Sequence, residues 1–425
     1  MKKFWYLFYN LIFIPLAKII LIFAQLINPK IKSGITGRKK LFENLIINLA
    51  GLDRSKKMIW FHSASMGEFE QAKPIIEKIR LQKDVNIIVS FFSPSGYNNS
   101  LKYPYADVIV YFPFDTAIAS ERFINLVQPN IAIFMRYDIW PNMIWKLEEN
   151  HIPFVIVDAT MRKRTARKWL FAKSFHKSLF NSFTKILCVS ENDVNNFLEF
   201  NIKPEKLKSV GDTRFDRVYQ KSLQAKEKKI FKDNIFDNKK VFVVGSSWES
   251  DEEVLIPAIV KLMKYEKDLV VIIVPHEPTV LHIENLENQF LNIEKTIRFS
   301  LLNDYQEERI ILIDTIGILL TLYYYADVAY VGGSFKQGIH NVLEPAVYSI
   351  PILFGPKNEN SQEAQELKKN GGAFEVKNKK EAYKTLRKLF VDDKFRVEKG
   401  KINYNFVLNN IGATDKIINE IDNYL

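Results

Sequence analysis

The stretch "WFHSASMGEFEQAKPIIEKIR", Trp60 to Arg80, decides the fold. An apolar run passes through small residues and opens a helical pattern at Gly67 and Glu68. A strand that turns directly into an amphipathic helix is the repeating unit of parallel α/β proteins. Ser65 and Glu68 are spaced as a capping box, and the helix amides predict a low pKa for this carboxylate. Helix stabilisation and a role as a general base are both compatible with its position.

The alternation of apolar runs and helical patterns continues along the whole chain. It pauses only in the charged stretch at 217–240, which has no apolar run and is interpreted as the connection between domains. We therefore expect an α/β protein with two Rossmann-like domains facing each other across a cleft. The expected boundaries are an anchor at 1–30, a first domain at 31–220, and a second domain with carboxyl-terminal helices at 221–425.

The composition is that of a globular protein with more than one domain. The 425 residues are 47% hydrophobic and 26% charged, and a chain of this length exceeds one ordinary core. Cys188 is the only cysteine, which excludes a disulfide within the chain and favours the cytosolic side of a membrane.

Positive charge is concentrated at the amino terminus. Residues 1–57 hold eleven Lys and Arg against Glu43 and Asp53, so they supply +9 of the net +11. These cations bracket an apolar stretch at 4–28, which favours membrane association over nucleic-acid binding. Pro15 and Lys18 are costly in hydrocarbon, so a spanning helix and a helix in the membrane plane both remain open, as does a buried first helix. The cations expected to face anionic headgroups on the cytoplasmic side of the inner membrane are Lys30, Lys32, Arg38, Lys39 and Lys40.

The sharpest cluster of polar residues is "YVGGSFKQGIHNVLEPAVY", which begins at Tyr330. Ligands of doubly wound sheets bind beyond the carboxyl ends of the strands, and glycines and helix amides suit a phosphate. A glycine-rich turn with a capped helix is the simpler alternative, and no P-loop or GxGxxG is present. Together with the loops after the neighbouring strands, this cluster predicts a pocket for a nucleotide-linked donor. Its predicted residues are Ser246, Ser247, Pro275, His276, Gly333, Ser334, His340, Asn341, Glu344 and Asn360. The histidines are scattered, and no metal site is expected.

Basic residues also follow strand ends in the first half of the chain. They lie in "MRYDIWPN" and "DATMRKRTARK" and either form a solvated face or grip a phosphorylated lipid. If Glu68 is a general base, it would take the proton of a second substrate, the acceptor, whose hydroxyl displaces the nucleotide. The residues predicted to bind the acceptor are Ser65, Gly67, Arg136, Asp138, Arg162 and Arg164.

Four segments resemble the 3-deoxy-D-manno-oct-2-ulosonic acid (Kdo) transferases of lipopolysaccharide synthesis. "HSASMGE" is similar to their HxxSxGE, "YDIWPN" to their acidic-x-acidic-IWPN, "VGDTRFD" to their GN-x-KFD, and "VGGSF...GIHNVLEPA" to their GGS...GGHN-x-LEPA. The resemblance runs in order from residue 4 to about residue 370. It implies a GT-B fold, the donor CMP-Kdo, a lipid A precursor (lipid IVA) as acceptor, and inversion at the anomeric carbon without metal or cofactor.

By resemblance Glu68 is the base, and Asn341 and Glu344 bind the donor around phosphate and ribose. Some positions depart from the family pattern. Arg136 stands where an acidic residue is usual, Trp248 where a histidine is usual, and "PHEP" where Pro-Arg-His-Pro is usual. Asp212 and Arg214 replace Asn and Lys.

The expected function is therefore Kdo transfer at the inner membrane. The alternatives are a membrane-associated GT-B transferase with another nucleotide-sugar donor and a non-catalytic nucleotide-sugar binding protein. A soluble epimerase of the same fold is disfavoured by the basic anchor. The number of Kdo units, the acyl preference and the oligomeric state are left open by the sequence.

Overall fold

The computed structural model describes residues 2–425 and divides into two compact units. Unit 1 runs to Arg217 and also contains Ile411–Leu425, whereas unit 2 is Val218–Asn410.

Unit 1 begins with helices and continues as an α/β sheet. The first helices are α1 (Lys2–Phe8), a π-helical turn (Tyr9–Phe13), α2 (Ile14–Ile27), α3 (Pro29–Gly37) and α4 (Leu41–Ala50). The alternating part is β1 (Met58–Ser63), α5 (Met66–Gln82), β2 (Asn86–Phe91), α6 (Pro94–Ser100), β3 (Val108–Tyr111), α7 (Ala117–Val127), β4 (Ile131–Met135), α8 (Pro141–Glu149), β5 (Phe154–Ala159), α9 (Leu170–Phe180), β6 (Lys185–Cys188), α10 (Glu191–Leu198) and β7 (Leu207–Ser209). The next helix, α11 (Thr213–Lys226), begins in unit 1 and continues into unit 2.

The sheet of unit 1 is parallel and has the order β3-β2-β1-β4-β5-β6-β7. In the centre, Phe61 of β1 pairs with Val89 on one side and with Ile133 on the other. All six residues of β1 are buried because helices cover both faces, which explains its unbroken apolar run. The strand order reverses between β1 and β4, so the topological switch point lies at Glu68 and the loop after β4.

Unit 2 repeats the architecture. Its elements are β8 (Lys240–Ser247), α12 (Glu249–Met263), β9 (Leu269–Pro275), α13 (Val280–Phe290), β10 (Thr296–Arg298), β11 (Ile310–Leu312), α14 (Leu319–Tyr323), β12 (Val328–Val331), α15 (Leu343–Ala346), β13 (Ile352–Phe354), α16 (Gln362–Lys369), β14 (Ala373–Glu375), α17 (Lys379–Val391) and α18 (Asp393–Asn410). The parallel sheet has the order β10-β11-β9-β8-β12-β13-β14, with its switch point between β8 and β12.

The chain ends in α19 (Ala413–Ile421) and a 3₁₀ turn (Asp422–Tyr424) that belong to unit 1. The sequence assigned this segment to the second domain, which is wrong. Ile417 and Ile421 are fully buried in the core beneath α5. The carboxylate of Asp216 accepts the amide hydrogens of Gly412 at 2.6 Å and Thr414 at 2.7 Å, which fixes the start of the helix.

The amino-terminal segment confirms the predicted apolar helix. Lys2–Ile27 is helical throughout, and its 26 residues are long and apolar enough to cross a membrane. One predicted headgroup contact is wrong, because Arg38 is buried. Its guanidinium donates to the carbonyls of Phe112, Gly34 and Phe92.

Candidate active site

Glu68 lies at the turn between β1 and α5. Ser65 is the N-cap, and its hydroxyl accepts the amide hydrogen of Glu68 at 3.4 Å. The Glu68 carboxylate reaches back to the amide of Ala64, which donates to Oε2 at 2.6 Å. In the usual capping box, the acidic side chain accepts the amide hydrogen of the N-cap residue. Here it accepts the amide hydrogen of Ala64, the residue before the N-cap. These two bonds hold the carboxylate at the switch point of the sheet.

The pKa of Glu68 is raised above the ordinary value of a glutamate, mainly because the carboxylate is buried. The Ala64 amide lowers this pKa, the carboxylate of Asp138 raises it, and His62 and Arg136 lower it. The low pKa predicted from the helix amides is wrong, because their effect is smaller than the cost of removing the carboxylate from water.

The Asp138 carboxylate is held in place by hydrogen bonds to neighbouring side chains. Its Oδ2 lies 2.8 Å from Nε2 of His62 and accepts the indole hydrogen of Trp140 at 3.0 Å. The other ring nitrogen of His62 lies 2.9 Å from the hydroxyl of Ser90, and His62 is fully buried. His62 belongs to the "HSASMGE" motif but is not among the residues predicted for the site. Its position near the end of β1, beside the switch point, was the available signal.

Arg136 follows β4 with a left-handed backbone, φ 60°. With its amide oxygen turned toward the cations, Gln71 accepts from Arg136 Nη1 at 3.1 Å and from Arg214 Nε at 3.2 Å. Nε of Arg136 is buried and has no hydrogen-bond partner among residues 2–425. Two guanidinium groups thus converge on one neutral amide.

Two buried carboxylates, Asp158 and Asp212, lie behind these cations, and neither is among the residues predicted for the site. Asp158 ends β5 in a left-handed conformation and accepts the amide hydrogen of Thr213 at 3.2 Å. Burial and the neighbouring Asp212 raise the pKa of Asp158 to about 8. Asp212 is itself bound by Arg214 through Nε at 2.9 Å and Nη2 at 2.7 Å.

The other predicted acceptor residues differ in placement. Gly67 is exposed on the first turn of α5. Arg162 and Arg164 are exposed on the loop before α9, and within residues 2–425 neither forms a hydrogen bond or ion pair with Glu68 or Asp138. Arg167 of the same loop instead lies over the ring of Tyr137, 5.3 Å from its centroid. The structure therefore favours Arg167 over Arg162 and Arg164 as the cation of this loop nearest the site.

In unit 2, four neighbouring strands end at one edge of the sheet, as predicted. Asp251 joins the loops there by accepting the amide hydrogens of Trp248 and Gly333, each at 2.9 Å, and the hydroxyl of Tyr330 at 2.7 Å. Gly333 has φ 91°, and a Cβ there would lie 2.4 Å from the carbonyl oxygen of Gly338. Only glycine fits this turn without a shift of the backbone.

Three rings form a stacked column at the same edge. The ring of His276 is 4.6 Å from that of Trp248 and 4.5 Å from that of His340, with interplanar angles of 25° and 18°. The indole of Trp248 also donates to Nε2 of His340 at 3.2 Å. The predicted residues His276 and His340 are thus brought together, and Trp248 is added to them.

The predicted phosphate helix is a single turn, α15. Its first amide, at Leu343, is bound by Oδ1 of Asn341 at 3.1 Å, and Nδ2 of Asn341 donates to Glu344 at 3.1 Å. Asn360 approaches the same loop, since its Nδ2 would lie 3.0 Å from a Cβ at position 338. Asn341 and Asn360 are exposed and available to a ligand.

Four predicted donor residues have mainly supporting positions. The hydroxyl of Ser247 is buried and donates to Glu252 at 2.7 Å, and that of Ser334 is buried and accepts the amide hydrogen of Gly355 at 2.6 Å. Pro275 ends β9 as a buried residue. Ser246 has φ 50°, and its carbonyl lies where a side chain at Gly332 would be. These residues shape the loops beneath the exposed surface.

Comparison with known proteins agrees with the geometry. The family model of "3-Deoxy-D-manno-octulosonic-acid transferase (kdotransferase)" matches residues 39–217. A 3-deoxy-D-manno-octulosonic acid transferase of Aquifex aeolicus is 30% identical over 363 residues, which cover 82% of this chain and 92% of that protein. A bifunctional glycosyltransferase/methyltransferase of Fusobacterium nucleatum is 28% identical over 78% of this chain, and the match spans about half of that protein, 52%.

Among solved structures, the chain resembles the UDP-GlcNAc 2-epimerase of Neisseria meningitidis bound to UDP-GlcNAc. The TM-score is 0.60 over 85% of this chain and 98% of that one, at 15% identity. This likeness concerns the fold alone and, with the two parallel sheets, confirms the predicted GT-B class. The relatives identify the chemistry, and the chain belongs to the 3-deoxy-D-manno-octulosonic acid (Kdo) transferase family of glycosyltransferases.

Proposed function

We propose that this protein transfers Kdo from CMP-Kdo to a hydroxyl of a lipid A precursor, lipid IVA, at the cytoplasmic face of the inner membrane. The reaction is a single displacement with inversion that uses neither metal nor cofactor. The observation that carries the proposal is the half-buried carboxylate of Glu68 at the switch point of unit 1, with its raised pKa, in a chain of this family.

In the proposed step, Glu68 takes the proton of the acceptor hydroxyl while the hydroxyl oxygen bonds to the anomeric carbon of Kdo. The bond from that carbon to the phosphate oxygen of CMP breaks, and its electron pair leaves with CMP. A raised pKa makes Glu68 a stronger base than an exposed glutamate, which favours proton transfer in the transition state. Its bond to the Ala64 amide fixes one oxygen and leaves the other for the hydroxyl.

The cations beside Glu68 suit an anionic acceptor. Arg136 and Arg214 share the neutral Gln71 amide, and Arg214 also pairs with Asp212. Arg136 is the better candidate, because it keeps a buried N–H without a hydrogen-bond partner among residues 2–425. Guanidinium groups bind phosphate through two hydrogen bonds, and a lipid A precursor carries phosphates on its disaccharide. His62 and Asp138 are positioning residues in this scheme. His62 holds the Asp138 carboxylate at 2.8 Å, and this carboxylate is the second acidic group beside Glu68.

The exposed groups of unit 2 suit the nucleotide. His340 and Asn341 present N–H donors at the carboxyl edge of the sheet, with Asn360 on the adjacent loop. Charge develops on the CMP phosphate as it leaves, and donors held in place before the reaction stabilise that charge.

The test is a mass-spectrometric transfer assay with CMP-Kdo and tetraacylated lipid A precursor. Wild type is compared with Glu68→Gln and with Glu43→Gln, a matched change at an exposed glutamate of unit 1. Product from wild type and Glu43→Gln, but not from Glu68→Gln, is the expected result. Equal product from Glu68→Gln would remove Glu68 as the base. No product from any of the three, with CMP still bound, would point to another sugar donor or to a binding protein.

A further inference from the structure

The amino-terminal helix is attached to unit 1 by polar bonds along its first third. The Lys2 ammonium lies 2.8 Å from the carboxylate of Glu148 in α8. Asn10 and Asn142 exchange two side-chain hydrogen bonds of 2.8 and 3.0 Å. These bonds tie residues at both ends of the first three turns to α8.

The strongest of these attachments is at Tyr9. Its hydroxyl donates to the buried carboxylate of Asp115 at 3.0 Å, and the same carboxylate accepts the amide hydrogens of Asn142 and Met143, also at 3.0 Å. Asp115 thus binds the start of α8 and the amino-terminal helix together. Releasing Tyr9 would leave a buried acceptor partly unsatisfied, which is unfavourable.

Aromatic packing covers the same stripe of the helix. The ring of Trp5 lies 5.2 Å from that of Phe175 in α9, and the ring of Tyr9 lies 5.8 Å from that of Trp145 in α8. Trp5 and Tyr9 are nine-tenths or more buried. Residues 2–10 therefore lie against helices that cover the sheet of unit 1.

This packing is incompatible with a helix that crosses the bilayer. In a spanning helix, residues 2–10 would lie in hydrocarbon or beyond it, and α8 and α9 would have to follow them. Both helices carry charged residues and are joined to the buried strands β5 and β6. A charged helix face inside hydrocarbon is costly, so the helix stays beside unit 1.

Beyond residue 10 the helix is apolar and largely uncovered, and no residue of α2 is buried. The exposed apolar side chains of the whole helix include Phe4, Leu11, Phe23, Leu26 and Ile27, with exposed fractions from 61% to 86%. Residues 4–27 present an apolar surface about 36 Å long, at 1.5 Å per residue, which only Lys18 interrupts as an exposed charge and which is far larger than a soluble protein leaves in water. A lipid surface fits it, because the exposed side chains are apolar while the flanking Lys30, Lys32 and Lys39 are exposed cations.

A second apolar point lies on the same side of unit 1. Trp169, Leu170 and Phe171 at the start of α9 are 73%, 88% and 82% exposed. Phe171 stands one turn from Phe175, the residue that packs on Trp5, so this point adjoins the amino-terminal helix. Exposed Arg162, Lys163 and Arg164 precede it, which suits a surface of anionic headgroups.

We propose that the amino-terminal helix lies in the plane of the membrane interface without crossing it, and that Trp169–Phe171 inserts beside it as a second membrane contact. The two contacts fix the orientation of unit 1 on the lipid surface. The inference does not depend on which sugar donor the enzyme uses.

Topology is tested in the full-length protein with single cysteines and a membrane-impermeant maleimide. The native Cys188 is fully buried, so its background labelling is low. Lys3→Cys reports the start of the helix, and Lys102→Cys reports the exposed surface of unit 1. We expect both to be labelled only after spheroplasts are lysed. Labelling of Lys3→Cys, but not Lys102→Cys, in intact spheroplasts would overturn the in-plane helix.

The second contact is tested by vesicle binding and fluorescence. Trp169→Ser, Leu170→Ser and Phe171→Ser are combined, and Ser at the N-cap position 169 is compatible with α9. The matched control combines Val280→Ser and Leu281→Ser, two residues of unit 2 that are each 68% exposed. Binding to vesicles of phosphatidylethanolamine and phosphatidylglycerol should weaken about tenfold in the first variant and not in the control.

Brominated acyl chains in the same vesicles should quench Trp169, so Trp169→Phe should lose part of the quenching seen in wild type. Unchanged vesicle binding by the combined variant, together with unchanged quenching in Trp169→Phe, would overturn the second contact. A change of oligomeric state in the combined variant, with vesicle binding intact, would assign this surface to a protein partner instead.

Discussion

The indole Nε1–H of Trp248 donates to Nε2 of His340 across 3.2 Å. A neutral histidine that accepts at Nε2 carries its proton on Nδ1, so this bond selects one tautomer. Burial lowers the pKa of His340, and the neighbouring His276 lowers it further, which keeps the ring neutral. Trp248 therefore determines the tautomer of His340, in which Nδ1 is the nitrogen that can donate a hydrogen bond.

We predict that Trp248→Phe keeps the stacked ring but loses this selection. The neutral form of His340 loses a hydrogen bond, so the pKa of His340 should rise and both tautomers should be populated. Nitrogen-15 NMR of the imidazoles measures this directly, and CMP affinity should fall about tenfold or less. His151, exposed in unit 1, is an internal reference that should not change. An unaltered His340 spectrum would show that the indole bond does not set the tautomer.

The pH dependence of transfer should report the charges around Glu68. Activity requires the ionised carboxylate, so it should fall as the pH drops through a pKa above that of an ordinary glutamate. Asp138→Asn removes a negative neighbour and should move this midpoint to lower pH. Arg136→Gln removes a positive neighbour and should move it to higher pH. Shifts of kcat/KM midpoints in the same direction for both variants would contradict the assignment of the limb to Glu68.

The Gly67→Ala variant distinguishes an effect on protein stability from an effect on the approach of the acceptor to Glu68. The nearest atom to a Cβ at this position is 3.9 Å away, and the residue is in the first turn of a helix. Stability should be unchanged or should rise by up to about 1 kcal/mol. Transfer should fall, on the order of tenfold, if the acceptor approaches across this glycine. Thermal unfolding and the transfer assay measure the two effects, and full activity would place the acceptor elsewhere.

Gly333 provides the contrasting case. Gly333→Ala puts a Cβ 2.4 Å from the Gly338 carbonyl at φ 91°, so it should destabilise unit 2 by more than about 1 kcal/mol. Denaturant unfolding would measure the loss.

Asp158 should make the stability of unit 1 depend on pH. Its pKa is raised on folding to about 8, so the protonated form is favoured in the folded state. The stabilisation is complete below the unfolded pKa near 4 and is lost as the pH rises through 8, with a slope of at most about 1.4 kcal/mol per pH unit. Asp158→Asn should flatten this part of the stability curve. An unchanged slope in chemical denaturation between pH 5 and pH 9 would show that Asp158 is ionised throughout.

The assignment of α19 to unit 1 predicts a local effect of Ile417→Ala. Ile417 is fully buried, and truncation to alanine should cost about 2–5 kcal/mol. Hydrogen exchange should increase in α5 and the strands beside it, but not in the sheet of unit 2. Increased exchange in unit 2 alone would contradict the assignment.

Local hydrophobic patterns predicted most of the strands and helices. A central strand of a parallel sheet is buried on both faces, so its sequence is apolar along nearly its whole length. Central strands such as β1 and β9 are buried at every residue, and their sequences are mostly apolar. The strands β7, β10 and β14 have three residues each and lie at sheet edges. An edge strand buries fewer side chains, so its sequence carries a weaker signal than a central strand.

The sequence by itself determined the repeating strand and helix units, the glycine turn at Gly333 and the placement of Glu68 after the first strand, because each depends on neighbours along the chain. Only the tertiary structure decided the raised pKa of Glu68, the pairing of His62 with Asp138 and the return of α19 to unit 1. Each of these arises when residues distant in sequence exclude water from one another. Burial of that kind is a property of packing, which no single stretch of sequence records.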